Sequence, residues 1–263
     1  MNAKLTPYED VNSIVLLLLQ KSQEILGDNL LAMYLHGSLA TGDFSQKGSD
    51  IDFMIVLDKE LLDETIQKLR EMHSDILKND SKWAKKLEGS YVQKDLLKSV
   101  APPKAPRLYI NGSGFNMCPY GYEWVIEKYV IREQSIIVIG PPPSTFIEPV
   151  SSEGIRQANT KILCEDWEPM LGESSRLEDD EYQAYAVLTM CRCLFSFTHN
   201  KMASKKVAAK WVKEQFSEWR NLVEIALNWT SEQEFNRLNE VKDFIKFTVE
   251  FTKNKGGEKD NIA

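Results

Sequence analysis

An α+β fold is predicted for this chain: a small mixed sheet with its helices in residues 1–150, then an all-helical bundle over 151–253 and a polar tail from 254. Three observations predict it. Apolar runs of strand length at 30–35, 50–57 and 87–92 are interleaved with stretches of helical period in the first half. Beyond about residue 150 strand signals vanish and only the 3.6-residue period remains. Between the two regimes, Gly140-Pro141-Pro142-Pro143 stops regular structure, since three successive prolines donate no backbone hydrogen bond.

The first expected element is an amphipathic helix over 8–26, with Val11, Ile14, Val15, Leu18 and Ile25 near one face and Gly27-Asp28-Asn29 ending it. A buried strand at Leu30 to Leu35 follows, then a polar turn and a second strand from Asp50 to Leu57. Residues 59–78 return to helical spacing through Leu62, Ile66, Leu69, Met72 and Ile76. Leu87 to Val92 reads as a strand that Gly89 weakens. Residues 99–121, with four prolines and three glycines, read as a long irregular connection. A helix from Gly121 to Arg132 and a short strand from Ser135 to Ile139 complete the half. Helices are expected over 152–164, 180–199, 204–229 (with a break in the middle) and 231–253.

Bulk properties narrow the function. Of 263 residues, 43% are hydrophobic and 27% charged, as in an ordinary soluble globular protein, and the net charge is −7. An acidic surface argues against general nucleic-acid binding and favours a cationic small-molecule partner. Cys118, Cys164, Cys191 and Cys193 have neither zinc spacing nor a disulfide framework. No signal pattern opens the chain and no apolar run near it spans a bilayer, so a cytoplasmic protein without membrane contact is expected, a monomer or weak homo-oligomer.

One stretch names a chemistry. Gly37-Ser38 ends the first apolar run, and after eleven intervening residues Asp50-Ile51-Asp52 opens the next. Strand side chains alternate, so both aspartates point to one side. Two carboxylates held that close repel unless a cation lies between them. The Gly-Ser turn offers amide donors and a hydroxyl. Together they suit a Mg²⁺–triphosphate: hard oxygens at Asp50 and Asp52 for the metal, Gly37 and Ser38 for phosphate. A third carboxylate is expected on a neighbouring strand, and Glu88 is the best placed, as metal ligand, as general base, or as both.

The order helix, strand, Gly-Ser turn, acidic strand, helix, strand resembles the DNA polymerase β-like nucleotidyltransferases. Adding Tyr34-Leu35-His36-Gly37-Ser38, Leu87-Glu88, Arg132-Glu133, Val138-Ile139-Gly140-Pro141, Val187 to Arg192 and Ala203 to Trp211, the chain is similar to the bacterial streptomycin/spectinomycin adenylyltransferases from about residue 10 to 250. The resemblance implies Mg²⁺-dependent transfer of AMP from the co-substrate ATP to a hydroxyl of an aminoglycoside or aminocyclitol, with release of pyrophosphate. It implies Glu88 as base and Lys205, from the helical half, at the ATP phosphates. A lysine at a helix start opposes the helix dipole, which suits a bound anion there. Arg192, in an otherwise apolar helix, either pairs with a carboxylate or meets the nucleotide.

The acceptor side departs from that family. The family's tryptophan and acidic residues just before the Val-Leu-Thr helix have no counterpart at that position. Glu178, Asp179 and Asp180 remain as candidates for reading ammonium groups, or as acids complementing a helix dipole. Trp167 and Tyr109 are candidates for stacking on a sugar or cyclitol ring. Two other readings stay open: a non-antibiotic acceptor, and a regulatory, antitoxin-like module, which the spacing of Arg192 and His199 invites. An RNA-directed transferase is disfavoured by the net acidity.

Overall fold

Leu30–Leu35 (β1) and Ile51–Leu57 (β2) lie antiparallel within a six-stranded sheet, in a computed structural model that describes residues 4–46, 48–112 and 114–257. The strand order is β5-β4-β3-β2-β1-β6, with β3 at Leu87–Gln93, β4 at Arg107–Asn111, β5 at Gly114–Cys118 and β6 at Ile136–Ile139. β2 and β3 run parallel; every other neighbouring pair is antiparallel. A parallel pair needs a crossover, and Asp63–Leu77 (α3) supplies it.

The period-2 pattern of β2 decides which face does what. Ile51, Phe53, Ile55 and Leu57 point to one side and are buried with Val11, Ile14, Val15 and Leu18 of Glu9–Leu26 (α1) and Leu69, Met72 and Ile76 of α3. Burying such side chains stabilises by about 1.5–3 kcal/mol each, so the register is strongly specified and Asp52 is forced to the other face. Gly89 does not weaken β3. A Cβ there would lie 2.1 Å from the Phe53 carbonyl oxygen, so the close approach of β2 and β3 requires glycine.

The irregular connection expected over 99–121 holds the short helix Lys94–Lys98 (α4) just before it and the β4–β5 hairpin within it. Leu108, Ile110 and Phe115 feed the core while Arg107, Tyr109 and Asn111 face the other way. The Asn111-Gly112 step that joins the strands, with Gly112 at φ +54°, is a hairpin signal that the flanking prolines obscure.

Burial inside this core pulls the His73 imidazole down to about 3 from its ordinary 6.5; its Nε2 lies 2.8 Å from the Tyr91 hydroxyl. A depressed imidazole value means that folding favours the neutral form. Stability from this source is therefore complete above pH about 6.5 and is lost as pH falls toward about 3, on the order of 5 kcal/mol in all. His73→Gln, which does not titrate, is expected to flatten the pH dependence of the urea midpoint between pH about 6.5 and 4. Parallel curves for variant and wild type would contradict this.

The chain divides into two units, Met1–Tyr120 with Glu127–Pro149, and Gly121–Ile126 with Val150–Ala263. The start of Glu123–Gln134 (α5) thus belongs with the helical unit, because Tyr122 and Ile126 pack against its core. That unit contains Ser152–Ile162 (α6), Asp180–His199 (α7), Lys205–Gln215 (α8), Arg220–Asn228 (α9) and Leu238–Gly257 (α10). α7 is its centre, burying Val187, Met190, Cys191 and Leu194. The helix expected over 204–229 breaks at Phe216 to Trp219, and the one expected from 231 starts only after Asn236, which has φ 45°. Of the tail expected from 254, residues 254–257 continue α10 and 258–263 lie outside the described residues. Among the described residues no helix is long and apolar enough to cross a membrane.

Candidate active site

β1 delivers the chain to His36, whose backbone N–H donates to the Asp52 carbonyl at 3.0 Å. Gly37 then turns with φ +59°, and a Cβ there would sit 1.9 Å from Asp52 Oδ2. The Asp52 carboxylate therefore rests directly on the glycine, and no residue with a side chain fits that position. What reads as a turn in sequence is the short helix Gly37–Thr41 (α2), with Ser38 half-buried in its first turn and Gly42 closing it in the left-handed conformation. Amide donors, a hydroxyl and a carboxylate are thus collected within a few residues.

The parallel register of β2 and β3 pairs Asp52 with Glu88. Paired residues of neighbouring strands share a face, so the two carboxyl groups stand side by side. Burial pushes the Glu88 carboxyl above its ordinary value; the charges of Asp52 and Asp50 add to this, and a hydrogen bond from Tyr109 opposes it. Asp50 precedes β2 by one residue, with Oδ1 3.1 Å from Lys86 Nζ, both side chains partly exposed.

Residues to which sequence reasoning gave no role at the acids stand behind them. The Tyr109 hydroxyl, from the strand after Glu88, donates to Glu88 Oε1. Arg107 lies over the rings of Tyr109 and Tyr120, at 5.0 and 5.2 Å from their centroids, and its Nη1 donates to Glu127 Oε2 at 2.5 Å. Glu127 Oε1 is 3.9 Å from His36 Nε2. Burial pulls the His36 imidazole below its ordinary value, against the opposing charge of Glu127. The Tyr109 hydroxyl is thus taken by Glu88 and one side of its ring by Arg107, a role at the acids that the expected ring stacking did not include. The alternation Arg107, Tyr109, Asn111 was the available signal.

The donor set fits a hard divalent cation. Asp50, Asp52 and Glu88 offer carboxylate oxygens only, and their mutual repulsion is what such an ion relieves. Among the described residues, no three such groups already converge on one point, since Asp50 leans to Lys86 and Glu88 to Tyr109.

In the helical unit, Arg192 is on α7 and its Nε is buried without a hydrogen-bond partner among the described residues. Lys205 is the first residue of α8, capped by Ser204, with its Nζ 5.2 Å from the centroid of the Tyr185 ring. The expected acceptor residues are placed differently from the expectation. Trp167 is only 4% exposed and packs on Tyr182 and Tyr185, at centroid distances of 5.8 and 5.9 Å, so its ring is a packing anchor with no face left for a sugar. Asp179 caps α7, accepting from the Tyr182 amide at 2.8 Å, and Asp180 accepts from the Asn236 amide at 3.0 Å. Asp179 serves the helix start and Asp180 holds the backbone ahead of α10; Glu178 is exposed in the turn before α7. An acid that sequence reasoning missed is Asp166, whose carboxyl burial pushes up to about 6, with Glu123 and Glu165 adding to the shift. Nothing in the local sequence marks it, because Glu123 is distant in the chain.

The polymerase β nucleotidyltransferase family matches residues 20–97, and the aminoglycoside adenylyltransferase C-terminal domain family matches 147–255. No curated protein sequence matches the chain. Among solved structures, the chain is similar to a spectinomycin adenyltransferase from Enterococcus faecialis, crystallised with ATP and spectinomycin. The TM-score is 0.74 at 18% identity, over 92% of this chain and 98% of that one, a likeness of fold. The acid-bearing strands fall within the first family match and the helices of the second half within the second; the chain is a nucleotidyltransferase whose helical half matches the C-terminal domain of the aminoglycoside adenylyltransferases.

Proposed function

We propose that the enzyme transfers AMP from ATP to a hydroxyl of a cationic aminoglycoside or aminocyclitol of the streptomycin or spectinomycin type, releasing pyrophosphate. The observation that carries this reading is the pairing of Asp52 with Glu88 on adjacent parallel strands, beside the glycine on which Asp52 rests. The similar solved structure, crystallised with ATP and spectinomycin, supports the choice of donor and acceptor class.

Each residue has a role in an in-line displacement at the α-phosphorus. Ser38 and the amides at the start of α2 bind phosphate oxygens. Asp50 and Asp52 hold Mg²⁺, which when bound supplies Lewis-acid charge at the phosphates. Glu88 takes the proton of the attacking hydroxyl as the new oxygen–phosphorus bond forms and the bond to the bridging oxygen breaks, so that pyrophosphate leaves. Arg192 and Lys205 would add cationic charge for the triphosphate, as the resemblance to the adenylyltransferases implies. We take the enzyme to work in the cytoplasm, where ATP is supplied, on a small molecule, as a monomer or weak homo-oligomer without nucleic acid or membrane.

The test is pyrophosphate release from ATP and Mg²⁺ with streptomycin, spectinomycin and kanamycin offered separately. Release is expected with streptomycin or spectinomycin. ATP binding without release for any of them would overturn the acceptor class.

A further inference from the structure

A carboxylate that serves as general base must present one oxygen to the reacting hydroxyl, and a Glu side chain has three rotatable bonds with which to lose that aim. Glu88 is restrained at its other oxygen. The Tyr109 hydroxyl donates to Oε1, which leaves Oε2 with free lone pairs for the acceptor proton. A phenol is protonated at neutral pH, so the donor role is fixed.

The tyrosine is itself held. Tyr109 is on the strand next to Glu88, where β4 pairs with β3 and places Tyr109 opposite Ser90, two residues along from Glu88 on the same face. The Arg107 guanidinium lies over its ring at 5.0 Å and over the Tyr120 ring at 5.2 Å. Arg107 is anchored in turn by Glu127, and both side chains are largely buried, at 13% and 15% exposure. A planar cation between two rings and paired with a carboxylate has little freedom to move. The hydroxyl at the end of the ring is consequently presented from one direction.

We propose that Tyr109 is a positioning residue for catalysis, which orients the Glu88 carboxylate so that Oε2 alone faces the attacking hydroxyl, with the Arg107–Glu127 pair as its brace. The inference rests on Glu88 being the base. It also separates the two roles open to Glu88: with one oxygen engaged by a hydroxyl donor, the group is prepared for a proton and not for chelating a cation through both oxygens.

A double-mutant cycle tests it, using the full chain with ATP, Mg²⁺ and spectinomycin or streptomycin, whichever supports turnover. Tyr109→Phe keeps the ring under Arg107 and removes only the hydroxyl. kcat is expected to fall roughly ten- to a hundredfold, the scale of a misplaced catalytic group, while KM for both substrates and the melting temperature stay at wild-type values. In the Glu88→Gln background the same change is expected to cost nothing further, because Tyr109 acts through Glu88. Wild-type kcat in Tyr109→Phe would overturn the inference alone. So would losses that multiply in the double variant, or a fall in kcat accompanied by a fall in melting temperature, either of which indicates packing. Full activity in Glu88→Gln would instead overturn the base assignment, and the inference with it.

Discussion

Asp52→Asn is expected to lower turnover by roughly a thousandfold, the consequence of losing several kcal/mol of transition-state stabilisation at a metal–phosphate site. The substitution keeps the size of the side chain, so the contact with Gly37 and the backbone bond from His36 to the Asp52 carbonyl are undisturbed. The fold should not suffer. Asp52 helps push the neighbouring Glu88 above its ordinary value, a sign of like charges held together, and removing one of them relieves that repulsion. The melting temperature without ligand is therefore expected to be unchanged or higher, while the stabilisation produced by ATP with Mg²⁺ shrinks. A variant that melts earlier and loses activity in proportion would mean that Asp52 is structural.

Glu88→Gln is expected to reduce kcat by about a hundred- to ten-thousandfold, the range for removal of a general base. The amide still offers an oxygen to the Tyr109 hydroxyl, so its placement should persist. The two roles open to Glu88 predict different binding. As base, it leaves the ATP–Mg²⁺ dissociation constant where it was, because proton transfer occurs only on the way to the transition state. As metal ligand, it weakens ATP–Mg²⁺ binding and kcat together. Retention of the full rate would mean that the acceptor proton leaves by another route.

The acid site was legible in sequence because its signals are local. Gly37-Ser38, Asp50 and Asp52 lie within sixteen residues, and the alternation from Ile51 to Leu57 fixes which way Asp52 points. Glu88 was reachable because one helix of crossover length separates two strands that had to be parallel neighbours. The surroundings of Glu88 were not reachable. Arg107 meets Glu127 across twenty residues, and that pairing depends on how α5 lies against the sheet face. The β4–β5 hairpin was obscured by Pro102, Pro103 and Pro106, which belong to the approach and not to the strands.

The helical half was legible in class and poorly legible in chemistry. Its period marked α7 correctly, since one side of that helix is apolar over its full length. Trp167 could stack on a ligand or anchor packing as far as its sequence tells; the chain there runs in tight helical turns that bury the ring. Asp179 and Asp180 look alike in sequence to acids that bind an amine. Only the amides at their oxygens identify Asp179 as a helix cap and Asp180 as a tether for the chain at Asn236.

Label transfer tests the central claim most directly. With ATP labelled at the α-phosphate, label is predicted to appear on streptomycin or spectinomycin, with the acceptor heavier by one adenylyl group and Asp52→Asn inactive in the same assay. With ATP labelled at the γ-phosphate, label is predicted to leave as pyrophosphate. Label reaching the acceptor from the γ-phosphate, or from neither position while ATP binds normally, would contradict the account.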